Sequence, residues 1–293
     1  MNGKKILNKL IVIFILLNML LFSTNVFKTI KSYRLDETRI NNVIYALKQK
    51  EIYLETTLPR FFSPKRVGSL DKLIGSGTTV ERYDIVKALF GNNNVIITKD
   101  INEIDSFTYK FGNEALEFHK NMIIYTNNRI EHQEVLPITI EDGKNICSDF
   151  IRRLGYTSVF EDAYIEYNQK NNVLQMTFYA KYEKLPIFDI YISFEIVDDE
   201  IQTATMKLGQ ISQLEENKNK KEIYPIDLIL FGIDDELNIE KPIYITDITL
   251  GYKAVEERNI SLLGAQIIPV YKIHIKGLNS PIYVNAYTNQ RIE

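Results

Sequence analysis

The sequence predicts an α+β fold: one N-terminal transmembrane helix followed by extracytoplasmic units, each a helix with an antiparallel sheet. Three observations carry this. Residues 10–27 contain no charged side chain and are mostly Leu, Ile, Val, Phe and Met; at about 1.5 Å per residue they span ~27 Å, close to the thickness of a bilayer's hydrocarbon core. Beyond them, short amphipathic stripes at helical spacing alternate with segments of period-two hydrophobicity closed by Asn, Gly and Asp turns. Tyr (18) and Phe (15) are plentiful while Trp is absent, a composition suited to half-buried sheets.

The 293 residues leave room for two domains beyond the anchor, and 45% hydrophobic with 25% charged content is ordinary for a folded chain. Net charge is −3. Setting aside Lys4, Lys5 and Lys9, which precede the apolar run, makes the remainder more acidic still. That argues against a nucleic-acid surface, which needs a basic face, and against a polybasic lipid patch on the folded part.

The basic start followed by an apolar core fits either an anchor or a signal peptide. After the core the chain reads Phe22-Ser23-Thr24-Asn25-Val26-Phe27, with no pair of small residues for cleavage, so an uncleaved anchor is expected. Lys28, Lys31 and Arg34 follow the run, so cations flank both ends and their count sets no orientation. A short tail (1–9) before a long domain favours a cytoplasmic N-terminus and an extracytoplasmic domain in the cell membrane. Ile11, Phe14, Asn18, Leu21 and Asn25 step by three and four and share one helix face. Asn18 is either tolerated in a single span or marks a face that packs on another membrane helix, worth about 1 kcal/mol per buried polar contact.

Asp36 caps a helix whose stripe is Ile40, Val43, Ile44 and Leu47 and which ends near Lys50. Residues 52–56 read as a strand stopped by Pro59, and 59–77 as loop, with Pro64, Gly68, Gly75 and Gly77. Thr78 and Glu81 have capping-box spacing ahead of a helix through Tyr83, Val86, Leu89 and Phe90 that ends at Gly91. Strands are expected at 95–98, 106–111, 114–119 and 122–126, with turns at Gly112-Asn113 and Asn127-Asn128. The region 28–135 is thus α+β. A third helix, 139–154, places Cys147, Phe150, Ile151 and Leu154 on one face and stops at Gly155.

Strands at 173–182, 188–197 and 201–208 complete a first helix-plus-sheet unit, 136–214; Ile190, Ile192, Phe194 and Ile196 line one strand face. The run 215–222 (EENKNKKE) is the expected charged linker. A second unit, 223–293, begins with a short helix from Pro225 to Phe231 and Gly232, followed by strands at 244–254, 267–276 and 282–287. Leu185-Pro186-Ile187-Phe188 and Ile268-Pro269-Val270-Tyr271 look alike, as do Leu154-Gly155-Tyr156 and Leu250-Gly251-Tyr252, so the two units read as related.

Chemistry-bearing motifs are sparse. His119, His132 and His274 have no metal-ligand spacing, and His274 reads as an ordinary sheet position. One cysteine, Cys147, makes neither a disulfide nor a thiolate zinc site and reads as a buried inert thiol. Gly75-Ser76-Gly77 superficially resembles a phosphate loop but lacks the Gly-Lys-Ser/Thr ending. Asp198-Asp199-Glu200 and Asp234-Asp235-Glu236 fall where turns are expected and do not match calcium-loop spacing. The expectation is a binding protein, not an enzyme, with no cofactor and no metal, acting through strand addition or aromatic anchors.

Residues 4–5 and 13–22 resemble the membrane anchor of the YycH/YycI family, in its YycI-like form. So do Ile140-Glu141-Asp142, Phe150, Leu154-Gly155-Tyr156, Phe178-Tyr179-Ala180-Lys181-Tyr182 and Leu185-Pro186-Ile187-Phe188-Asp189 in the middle of the chain, and Pro269-Val270-Tyr271 with Ile282-Tyr283-Val284-Asn285-Ala286-Tyr287 at its end. Residues 51–135 match least. The sheet-rich part also looks like PepSY-type modules. The resemblance implies a membrane-anchored accessory of a cell-wall two-component system in Gram-positive bacteria. Such a protein contacts a WalK (YycG)-type sensor histidine kinase through its transmembrane helix and outer domain, with a paralogous YycH-like protein as a further partner.

No catalytic residue transfers. Ile11, Phe14, Asn18, Leu21 and Asn25 become the expected kinase-facing surface. Two alternatives stand beside this. One is a PepSY-like module that inhibits an extracellular peptidase or binds an envelope protein. The other is an envelope enzyme, which would bring several ionisable side chains into one pocket.

Overall fold

The computed structural model describes residues 3–74, 79–91, 95–99, 106–119, 122–128, 138–170, 173–211, 220–233, 241–255 and 265–292. It opens with one continuous helix, α1 (Gly3–Ser32), five residues longer at its C-terminal end than the apolar run that predicts it. Helix α2 (Glu37–Gln49) starts where Asp36 accepts a hydrogen bond from the Arg39 backbone N–H and buries Val43 and Leu47.

Two compact units emerge, and neither is a single length of chain. Unit 1 comprises residues 1–65, 220–249 and 271–293; unit 2 comprises 66–219 and 250–270. The expected second unit, 223–293, is therefore divided between them. Of the expected linker at 215–222, residues 215–219 lie outside the described residues. Lys221 is paired: its N–H donates to the Lys65 carbonyl at 2.8 Å, and its carbonyl accepts from the Lys65 N–H at 2.9 Å.

In unit 1, α2 packs on β1 (Ile52–Leu54) and on α6 (Ile226–Phe231). Strand β1 runs parallel to the start of β11 (Ile243–Val255), Ile52 opposite Ile243. It is shorter than the expected 52–56, although the Glu55 N–H still reaches the Ile245 carbonyl at 2.8 Å. The end of β12 (Ala265–Ile275) and the strands β13 (Ile282–Asn285) and β14 (Arg291–Ile292) complete this unit. Its core includes Leu47, Ile52, Ile226, Leu230, Ile245 and Tyr271.

Unit 2 is built on an antiparallel sheet. Strands β3 (Ile96–Lys99), β4 (Phe107–Phe111), β5 (Glu114–His119) and β6 (Met122–Asn127) lead to β10 (Glu200–Ile211). On the other side of β10 lie β9 (Leu185–Val197), β8 (Val173–Tyr182) and β7 (Tyr164–Lys170). Ile190, Ile192, Phe194 and Ile196 are all fully buried, so the alternation read from the sequence marks the core face. Asp198 and Asp199 both have positive φ (51° and 60°), the two-residue turn that the right-handed twist of a hairpin prefers.

Helix α3 (Thr79–Phe90) and helix α4 (Ile140–Arg153) lie in this unit. Thr139 caps α4, and Gly143, Cys147, Phe150 and Ile151 form its buried face. A Cβ on Gly143 would stand 2.4 Å from Leu174 Cδ2, so the missing side chain is what lets the helix lie close on β8.

Besides the short strand β14, three elements depart from expectation. The stretch 59–77, read as loop, contains strand β2 (Gly68–Ile74), antiparallel to the end of β10 and the start of β12. Gly68 does not break the chain here: a Cβ would stand 2.3 Å from Ile267 Cγ1, and the glycine admits that neighbour. Strand β7 was not expected because Tyr164–Lys170 (YIEYNQK) is polar and mostly exposed, as an edge strand can be. The short helix α5 (Thr157–Phe160) follows Gly155 without a side-chain cap to signal it. Leu250-Gly251-Tyr252 lies inside β11, unlike Leu154-Gly155-Tyr156, which closes α4. Thr78 of the expected capping box, Gly75-Ser76-Gly77, Asn171-Asn172, His132 and Asp234-Asp235-Glu236 lie outside the described residues.

Candidate functional site

Two features can engage something outside the chain: the surface of α1 and a cleft in unit 2. Along α1, residues 7–32 are long and apolar enough to cross a membrane, and none of the apolar window is buried against the rest of the protein. Helical spacing brings Ile11, Phe14, Asn18, Leu21 and Asn25 onto one side, all exposed, with Ile11 at 49% and Phe14 at 66%. Asn18 does not wait for a partner entirely. Its Nδ2 donates to the Phe14 carbonyl at 2.9 Å, which satisfies one donor within the helix and leaves the amide oxygen available.

The cleft measures about 680 Å³ and lies between the C-terminal half of α4 and the strand ends of β4, β5, β6 and β10. Ile146, Phe150 and Ile201 give it an apolar wall; Glu114, Asp149 and Glu200 face it with carboxylates. The Tyr125 hydroxyl donates to Glu114 Oε1 at 2.9 Å, and Asn127 Nδ2 donates to Glu200 Oε2 at 3.4 Å. Arg153, on the rim, donates from Nη2 to the Leu89 carbonyl at 2.8 Å. Burial, and then the neighbouring Glu114 carboxylate, push the Tyr125 phenol above its ordinary value, so it acts as a donor and not as a base.

This is the convergence of ionisable groups that an enzyme would need, yet among the described residues the lining holds no Ser, Thr, Cys, His or Lys. What it can do chemically is accept a cationic or amide group against three carboxylates, with an aromatic floor. Sequence reasoning missed this cleft. Its residues come from a helix, two hairpins and a turn, and no local spacing links them.

The residues singled out for chemistry are dispersed. His119 Nε2 stands 3.6 Å from Glu117 Oε2 on the same strand, and His274 lies within β12. Cys147 is fully buried, and burial raises its thiol well above the ordinary range, which suppresses the reactive thiolate. Among the described residues no group of three His, Cys, Asp or Glu could hold a metal ion.

No family model and no curated protein matches the chain. The solved structures similar to it include these two. An uncharacterized protein from Eubacterium rectale ATCC 33656 shares 12% identity, covers 87% of this chain and 98% of its own, and superposes with a TM-score of 0.56. YycH from Bacillus subtilis shares 14% identity over 77% of this chain and 56% of its own, with a TM-score of 0.44. The chain thus spans little more than half of YycH, and that superposition is too loose to carry an argument. The first likeness shows a shared fold and nothing of function.

Proposed function

We propose that this chain is a membrane-anchored accessory protein that modulates a sensor histidine kinase by non-catalytic contact, through α1 and the extracytoplasmic units. The observation that carries the reading is α1 itself. It is an uncharged and mostly apolar helix, with none of its membrane-length window buried among the described residues, which supports a neighbour supplied from outside. The residue resemblance to the YycH/YycI family supports a kinase as that neighbour in the bilayer. A partner that binds one kinase state about 1.4 kcal/mol better changes the ratio of states tenfold, so a few helix contacts suffice.

The test is co-purification of the full chain with membrane kinases in mild detergent. The parent is expected to retain a kinase. Asn18→Leu is expected to weaken retention about fivefold, the size of one interhelical polar contact of about 1 kcal/mol, while the outer units keep their unfolding midpoint. No kinase with the parent would end the reading; unchanged retention by Asn18→Leu would remove Asn18 from it.

The cleft favours a second reading, in which unit 2 is a binding module for a basic or amide-rich segment of an envelope protein. Titration of the full chain with lysine-rich peptides, compared with Glu114→Gln/Glu200→Gln, separates the two. Binding lost in the double variant with kinase retention intact assigns the cleft its own partner.

A further inference from the structure

The junction between α1 and the rest of unit 1 is built, not merely linked. The Leu35 N–H donates to the Arg60 carbonyl at 2.8 Å and the Phe62 N–H to the Tyr33 carbonyl at 3.1 Å. Arg34 and Phe61 thereby form an antiparallel bridge. Tyr33 meets Phe62 edge-on at 6.0 Å, and the Arg34 guanidinium lies 5.7 Å from the centre of the Phe61 ring. Leu35 is only 1% exposed. Segment 60–62 thus clasps the foot of the helix, and a cavity of about 440 Å³ opens beside it, its lining including Phe27, Ile30, Lys31 and Arg34 as well as the acids Asp36 and Glu37.

Charge at this foot runs against the acidic balance of the whole chain. Lys28, Lys31 and Arg34 are exposed, and among the described residues none of them is within ion-pair distance of a carboxylate. The nearby acids are engaged elsewhere: Glu37 Oε1 lies 2.7 Å from Arg60 Nη1, Asp36 Oδ1 accepts from the Arg39 backbone N–H at 2.8 Å, and Glu222 Oε1 accepts from the Tyr33 hydroxyl at 3.2 Å. Three unpaired cations therefore stand beside exposed Phe27 (73%), Ile30 (54%) and Phe61 (57%).

Position decides what they meet. The apolar run ends at Phe27; Lys31 lies about 6 Å further along the axis, and the headgroup layer on each side of a bilayer is about 5–8 Å deep.

We infer that this collar is a docking surface for anionic phospholipid headgroups: Lys28, Lys31 and Arg34 seat lipid phosphates while Phe27, Ile30 and Phe61 lie against the acyl boundary. The inference rests on the anchor reading of α1 but not on the kinase. Its consequence is that lipid charge fixes the height and tilt of unit 1 above the membrane.

The chain contains no tryptophan, so Phe61→Trp gives a single reporter that keeps the ring beside Arg34. The full-length variant is reconstituted in phosphatidylcholine vesicles with rising phosphatidylglycerol, and quenching by lipids brominated near the headgroup end of the acyl chain is read. Quenching is expected to rise with the anionic fraction and to weaken with salt. Adding Lys28→Gln, Lys31→Gln and Arg34→Gln should raise the anionic fraction at half-maximal quenching by about fivefold or more. Lys28→Arg with Lys31→Arg should leave it in place.

Equal quenching in neutral and anionic vesicles, or an unchanged titration in the triple variant, would overturn the inference. So would the same emission change on adding inorganic phosphate alone. Flotation of the protein with the vesicles is scored in parallel. Protein that floats but ignores lipid charge defeats this inference alone; protein that fails to float defeats the anchor and this inference with it.

Discussion

Helices α1 and α4 obey the same backbone rules and end in opposite situations. Helix α4 is amphipathic: Cys147, Phe150 and Ile151 are buried, while Lys144 and Arg152 are exposed. Helix α1 carries no charge and is mostly apolar on all sides between Leu10 and Phe27, and none of the described residues buries that surface. An amphipathic helix announces a partner inside its own chain, because half of its surface must stay in water. A uniformly apolar helix with nothing of the chain against it announces a partner elsewhere. The cap tells the same story. Thr139 satisfies a first-turn N–H of α4, as an aqueous helix end requires.

The sharpest way to break the contrast is to truncate one phenylalanine on each helix. Phe150 is 4% exposed and meets Tyr125 and Phe194 edge-on at 5.3 and 5.5 Å. Phe150→Ala is expected to cost about 3–5 kcal/mol, read as a lowered urea midpoint for unit 2 of the full chain in detergent. Phe14→Ala should leave that midpoint unchanged; a comparable drop would mean that α1 packs within the chain after all. A smaller effect is expected at the contact between α4 and β8. Gly143→Val drives side-chain atoms into Leu174 and Met176, with even the Cβ 2.4 and 3.1 Å from them, and overpacking of this kind costs about 1–3 kcal/mol. Leu174 and Met176 are both fully buried and have little room to yield.

How much of this was legible in the sequence follows from which forces are local. Helical stripes, caps and strand alternation are carried by neighbours in sequence, so α2, α4, α6 and the core face of β9 could be read directly. Asp36, Thr139 and Gly232 stand where the caps are observed. Strand β2 was hidden because Gly68 was read by its backbone freedom, whereas its role is set by Ile267, nearly two hundred residues away.

Nor could the pairing of Arg39 with the buried Asp227 be read, since it spans |i−j| of 188. The cleft was invisible for the same reason: Glu114, Tyr125, Arg153 and Glu200 are brought together by the sheet order, not by spacing. The face of α1 was legible as a face, because i, i+3 and i+4 steps need no tertiary information. The bond from Asn18 to its own helix was not weighed, and it lowers the cost of leaving that face unpaired.

The subtlest difference between the two helices lies at their starts. Thr139 Oγ1 accepts from the Asp142 N–H at 3.1 Å and donates to Asp142 Oδ2 at 2.5 Å, so one hydroxyl both fills an orphan donor and positions an acid in the first turn, where the helix dipole favours it. Thr139→Ala removes both and should lower the stability of unit 2 by about 1 kcal/mol, seen as a shifted urea midpoint with an unchanged slope. Thr139→Ser should restore nearly all of it, because the hydroxyl carries the effect and the methyl does not. If Ala and Ser behave alike and both match the parent, the cap contributes nothing and α4 is held by its buried face alone. A helix held that way would differ from α1 only in where its apolar surface finds cover.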